Sequence, residues 1–275
     1  MNKTKERLIF MEISISTVVA LGISTLFTLI LPIPVLIFAC VKKKLSLRPF
    51  LFGALAFFIS QIILRIPLLN ILSTQSWFQS FAQQQMLVYL LALCFTAGLF
   101  EETARLIGAK YFCKRRREYR DAISFGIGHG MCEVLLLIGL SALSNFLCSV
   151  MINSGTLATA VTPAIAQQIT ASLAAVSSVQ IYLGIVERFS AVLFHIFATV
   201  LIFQGVNRGH SFRYWLLAIL SHMAFNLIGV LLGQYTTVWI SEIALLLLAL
   251  SGFYYVMRAR KGFSPAMHSH DADPV

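Results

Sequence analysis

The chemistry-bearing residues of this chain sit where apolar residues are expected. The stretch LFEETARLIG (residues 99–108) holds Glu101, Glu102 and Arg105 inside a run of Leu, Phe, Ala and Val. FGIGHGMCE follows, with His129 and Glu133 four residues apart, then GIVERFSAVLFH with Glu187, Arg188 and His195, and LSHMAFN with His222 and Asn226. An i,i+4 spacing puts two side chains on one helix face. A carboxylate beside imidazoles suits the activation of water as a general base. A His N–H and an amide one turn apart can donate to the oxyanion of a tetrahedral intermediate. Alternatively His129, His195, His222 and a Glu hold zinc and leave a position for water. Spacing does not separate these readings, because the groups come from different segments, and no HEXXH is present.

The segments carrying these residues are membrane spans. The chain has 275 residues, 58% apolar and 12% charged, half the charge of an ordinary soluble domain. Mean hydropathy is +0.83. Apolar stretches long enough to cross a bilayer lie at about 13–40, 49–72, 84–112, 122–152, 181–204, 214–235 and 238–257. The expectation is an all-α polytopic transmembrane helix bundle of about seven spans (six to eight), one integral-membrane domain over 1–262 with its motif core at 86–235. The basic start and apolar run of residues 1–40 also suggest a signal peptide, but the run exceeds an h-region of about 7–15 residues, so span one is kept. Span one contains Pro32 and Pro34 and is expected to kink.

The net charge of +10 is topological rather than a nucleic-acid signature. Fifteen of the 21 Lys and Arg lie in alternate loops or the C-terminal flank, among them Lys42 to Lys44, Lys114 to Arg117, Arg208 and Arg258. Loops 73–83, 153–180 and 234–237 contain no Lys or Arg. This is the positive-inside pattern of a multi-pass protein of the cell membrane with a cytoplasmic C-terminus. Seven spans then put the N-terminus outside, against the mild protest of Lys3, Lys5 and Arg7. The partners expected are membrane lipid and a membrane-embedded or lipid-near peptide, and no nucleic acid. Residues 153–180 are expected to be an external loop with an amphipathic helix after Pro163, and the tail 263–275 a disordered cytoplasmic segment whose HSHD carries no metal site. Five cysteines with no CxxC read as reduced packing residues.

Energetics raises the stakes at span three. A charge at a helix centre costs about 2.5–3.5 kcal/mol on insertion scales, so Glu101, Glu102 and Arg105 together cost roughly 8 kcal/mol or more. The eleven Leu, Ile, Phe and Val of 86–112 return about 3–6 kcal/mol on the same scale. These groups are therefore paired, protonated or facing a wet cavity. An internal pair with Arg105, at i,i+3 or i,i+4, would satisfy that demand alone. Depth argues for more: Glu102, His129, His195 and His222 all lie about 8–10 residues from the basic ends of their spans, roughly 12–15 Å in. Glu187 and Arg188 lie nearer the other end and read as a supporting ion pair. Arg65, with Gln61 as its local polar neighbour, either snorkels or reaches a carboxylate on span three.

The ordered blocks Glu101-Glu102-x-x-Arg105, Phe125-x-x-x-His129 and His222-x-x-x-Asn226 resemble the CAAX-protease and bacteriocin-immunity superfamily. The Glu187-Arg188-x6-His195 block and HGMCE look most like its YhfC branch of intramembrane peptidases, a cousin of PrsW. The resemblance spans about residues 86–235. It implies an intramembrane glutamic or metallo-endopeptidase acting on membrane-associated substrates at the cytoplasmic side. It implies Glu101 as the water-activating base with Glu102 second, Arg105 orienting the pair, His129 binding the water, and His222 and Asn226 at the oxyanion. Glu133, Glu187, Arg188 and His195 support them. CAAX enzymes typically carry EExxxR, one residue longer, so no prenylated substrate is implied. The competing classes are an ion- or proton-coupled transporter, which needs a polar path to both faces, and an inactive scaffold.

Overall fold

The structure is a computed structural model that describes residues 12–115 and 117–263. Described residues form helices and connecting turns, with no strand among them. Among the described residues, seven helices are long and apolar enough to span a bilayer: Ile15–Val41, Leu47–Ser73, Met86–Phe112, Tyr119–Asn153, Ser178–Asn207, Ser211–Tyr235 and Val238–Gly262, here spans one to seven. All seven match the sequence expectation. In apolar surroundings the helix satisfies every backbone N–H and C=O internally, which is why these runs take no other form. Their outward faces carry residues such as Leu51, Ile63, Leu87 and Leu247, all exposed, as lipid contact demands.

The chain divides into two compact units, residues 1–34 with 134–186, and 35–133 with 187–275. The first is organised around Ile13, Leu21, Ile152, Leu157, Ala166 and Leu173. Asn153 ties it together by accepting from the Ile13 N–H and donating to the Ile13 carbonyl, both at 2.8 Å. The helix expected after Pro163 is present as Pro163–Ala174, capped by Thr162. The tail 264–275 and the basic residues Lys3, Lys5 and Arg7 lie outside the described residues.

All site candidates belong to the second unit. The C-terminal half of span five is its most buried segment, with Ser190, Phe194, His195, Thr199, Val200 and Phe203 all buried. Its basic loops meet at one end: Arg120 donates to the Lys43 carbonyl at 3.4 Å and Asn207 to the Arg117 carbonyl at 2.9 Å. Loop 74–85 lies at the other end of span two. It contains a short helix, Ser76–Gln84, where the sequence suggested only a loop. Phe78 and Phe81 of that helix pack on Tyr89, with centroids at 5.7 and 6.1 Å, which is what pins it to span three.

Two devices bring polar side chains of this unit together. Glycine provides close approach: a Cβ at Gly98 of span three would lie 3.0 Å from the Ile219 carbonyl oxygen and 3.2 Å from the His222 Cβ. A Cβ at Gly126 of span four would lie 2.7 Å from the Ile196 Cα. Spans three and six, and four and five, therefore touch backbone to backbone beside the histidines. The second device is the wide helical turn. Phe58–Arg65 of span two is a π-helix, and Ser60, Gln61 and Arg65 lie in it.

Candidate active site

The four groups expected at one depth do lie at one depth. Counted from Phe112, Tyr119, Asn207 and Ser211, the residues Glu102, His129, His195 and His222 stand 10, 10, 12 and 11 residues in. They converge around the two carboxylates, in a site where Glu102, Arg105 and His129 are fully buried and Glu101, His195 and His222 nearly so.

The two carboxylates have different partners. Glu102 accepts from Arg105 at both oxygens, 2.7 Å each, and from the His222 Nδ1–H at 2.8 Å. Its lone pairs are committed, and its charge is matched by a guanidinium. Glu101 is not in contact with Arg105. It accepts from the Gln61 amide at 2.8 Å and from the His129 Nε2–H at 3.0 Å. Two further imidazole nitrogens face it at a longer distance: His195 Nδ1 lies 3.9 Å from one oxygen and His222 Nε2 lies 3.9 Å from the other. Glu101 thus sits centrally among three histidines without being neutralised by the buried arginine.

Donor chemistry assigns the tautomer of His195. Arg105 donates to Nδ1 at 3.0 Å and can only donate, so Nδ1 carries the lone pair. Nε2–H then donates to Glu133 at 2.6 Å. Arg188 holds Glu133 in turn at 3.2 Å and also pairs with Glu187. The expected supporting ion pair is therefore joined to the site through Glu133 and His195. Aromatic rings wall the imidazoles: Phe57 packs edge-on to His129 at 5.4 Å, and Phe194 to His222 at 5.2 Å.

Asn226 stands one turn beyond His222, half-buried, with no hydrogen bond to the cluster among the described residues. Gln61 is the participant that the sequence reading did not place in the site. Its signal was an amide in the middle of an apolar run, where a polar group requires a partner. Arg65 reaches the site only through it, donating to the Gln61 side-chain oxygen at 3.3 Å and to the Leu93 carbonyl at 2.8 Å. None of the five cysteines is in a disulfide.

Glu101, His129 and His195 each offer a donor atom within 4.8 Å of the others, a set that fits a divalent cation. The hydrogen bond that the remote Nε2–H of His195 donates to Glu133 is the outer-shell support that a metal-binding imidazole commonly has. Two features weigh the other way. Arg105 occupies the lone pair that His195 would offer, and His129 Nδ1 is buried without a hydrogen-bond partner among the described residues. His222, expected among the metal-binding histidines, is instead turned with Nδ1 onto Glu102.

An apolar groove of about 610 Å³ lies between spans two and three, lined by residues such as Leu55, Ile59, Phe100 and Ile107. None of the carboxylates or imidazoles lines it.

A polytopic helical membrane protein with a buried carboxylate–imidazole centre is the class that fold and site define. The chain belongs to the YhfC intramembrane metalloprotease family, whose profile matches residues 27–245. An uncharacterized membrane protein YhfC of Bacillus subtilis (strain 168) is 31% identical over 258 residues, 91% of this chain and 99% of the relative. No solved structure matches the chain.

Proposed function

We propose that this chain is an intramembrane endopeptidase in which Glu101 activates the hydrolytic water. The observation carrying this reading is the unequal treatment of the two carboxylates: Glu102 is consumed by Arg105 and His222, whereas Glu101 faces His129, His195 and His222 free of the guanidinium. A base has to accept a proton and give it up again, and Glu101 is the carboxylate with that freedom.

In the proposed reaction water adds to the scissile carbonyl carbon as its proton passes to Glu101. The C–N bond then breaks and Glu101 returns the proton to the leaving amine nitrogen. His129 orients the water and Glu101. Arg105 fixes Glu102 and His195, and Glu102 holds His222 through Nδ1. His222 and Asn226, one turn apart, face the oxyanion. Glu133, Glu187 and Arg188 keep His195 in its tautomer. The residues that would hold a metal are Glu101, His129 and His195, with His222 adjacent. A bound Zn²⁺ would supply Lewis acidity to a water at the same place.

The substrates in this reading are peptides embedded in or lying near the membrane of the cell. The basic loops and C-terminus face the cytoplasm by the positive-inside rule. Transport is the poorer reading: among the described residues toward the basic end, Ala109, Phe125, Val200 and Phe203 are fully buried, and the buried polar groups Thr199, Ser124 and Gln204 are bonded to backbone carbonyls. Incubating the protein, reconstituted in lipid, with transmembrane peptides in heavy-oxygen water tests the proposal. Hydrolysis places one heavy oxygen in each new carboxyl terminus, read by mass spectrometry. Intact peptides across a broad panel would count against it.

A further inference from the structure

A site buried this deeply needs an entrance, and its polar residues are distributed to one side. The groups one to three turns further from the basic end are the ones with access: Glu133 and Arg188 have side chains 16% exposed and Glu187 38%. Asn226 is half-buried at the corresponding level of span six, and Arg65 at that of span two. In the opposite direction the buried polar groups are bonded locally, Thr199 to the His195 carbonyl, Ser124 to the Arg120 carbonyl, Gln204 to the Ala259 carbonyl and Asp121 to the Glu118 N–H. Ala109, Ala122, Phe125, Val200, Phe203 and Ala218 are all fully buried and form an apolar plug between the cluster and the basic loops.

Glu242 adds an independent observation. It lies on span seven, 20 residues from Gly262, the level at which Glu187 stands on span five counted from Asn207. Its carboxyl is within electrostatic reach of Glu187 and Arg188. The residue is 7% exposed, and its Oε2 is buried with no hydrogen-bond partner among the described residues. A buried carboxyl oxygen in this position calls for water or a polar ligand group. A conduit at this end satisfies it.

We infer that the catalytic chamber opens toward the end of the bundle opposite the basic loops, through a polar mouth formed by Glu133, Glu187, Arg188, Asn226 and Glu242, and takes its water and its peptide from that side. By the charge distribution this is the extracytoplasmic side. The inference rests on the peptidase reading for the identity of what enters, and it replaces the cytoplasmic-side cleavage expected from sequence. The substrates are then segments that reach the bilayer from outside the cell, in an extended form able to enter between charged side chains.

Substituted-cysteine labelling in sealed vesicles of both orientations tests this without recourse to activity. In a full-length chain lacking Cys40, Cys94, Cys113, Cys132 and Cys148, Asn226→Cys and Glu187→Cys are treated with a membrane-impermeant maleimide. Ser80→Cys marks the loop end and Lys44→Cys the basic end, both positions being exposed. The expected result is labelling of positions 226 and 187 in the vesicles that label position 80, and protection in those that label position 44. Labelling from the position 44 side, or from neither side, overturns the inference. If the cysteine-free chain does not fold, the same substitutions in the native chain are read as the increment of label over the parent. A chain that labels as expected but cleaves nothing would sink the peptidase reading and leave the opening intact.

Discussion

At the residue scale, the division of labour between adjacent glutamates follows from helix geometry. Residues 101 and 102 are 100° apart around the helix, and Arg105 at i,i+3 from Glu102 takes both oxygens of that carboxylate. The pair offsets the insertion cost that made the stretch anomalous, but it leaves Glu101 unaccounted for. Gln61 and three imidazoles provide its surroundings. Glu133 is the residue whose role is most open to test. Because it fixes the tautomer of His195 from outside the cluster, Glu133→Gln is expected to lower activity about 10–100-fold, with any metal affinity falling in parallel. Peptide cleavage rates and metal content of the same preparations check this, and an unchanged rate would remove Glu133 from the site's support. The Glu102–Arg105 pair was legible in sequence because its partners are three residues apart. The Gln61–Glu101 contact was not, because forty residues separate its partners and no spacing rule reaches that far.

At the element scale, the site exists because helices of alternating direction are brought close at the level of the histidines. Gly98 determines how near span six can come, and Glu102 and His222 meet at 2.8 Å as a result. Gly98→Val would force the Ile219 carbonyl and His222 away. A loss of about 1–3 kcal/mol in stability is expected from such overpacking, with cleavage reduced further than stability alone explains. Thermal unfolding in detergent and cleavage assays separate the two effects, and Gly98→Ala should fall between wild type and Val. The spans themselves were legible, since about 20 consecutive apolar residues are sufficient evidence of a crossing. The π-turn Phe58–Arg65 was not legible, because an i→i+5 turn leaves no mark in composition. The helix Ser76–Gln84 was passed over because its polar residues read as loop, while its aromatic face becomes meaningful only once Tyr89 is beside it.

At the scale of the whole molecule, charge and exposure make separate statements. In the reading proposed above, the basic loops orient the chain in the bilayer and the apolar cluster of Ala109, Phe125, Val200 and Phe203 separates the site from them. A reporter fused after residue 263 is expected on the same side as one inserted at 113–118 and opposite to one inserted at 74–85. A C-terminal reporter sharing the side of the 74–85 insertion would reverse the orientation and with it the side from which substrate comes. Depth matching was what the sequence conveyed about the site as a whole: four residues on four spans, each about ten positions from a basic end, predicted a common layer that the structure contains. The opening proposed for that layer was beyond it, since exposure depends on how Phe125, Val200 and Phe203 pack across spans four and five.

The measurement that bears most directly on the central claim compares Glu101→Gln and Glu102→Gln with wild type in the reconstituted cleavage assay. With Glu101 as the base, Glu101→Gln is expected to lose about 10²–10⁴-fold or more in turnover while remaining folded, because the amide keeps its shape and its place between Gln61 and His129. Glu102→Gln, which leaves Arg105 buried without its carboxylate, is expected to show itself first as a loss of thermal stability. A Glu101→Gln protein that cleaves at the wild-type rate would contradict the account.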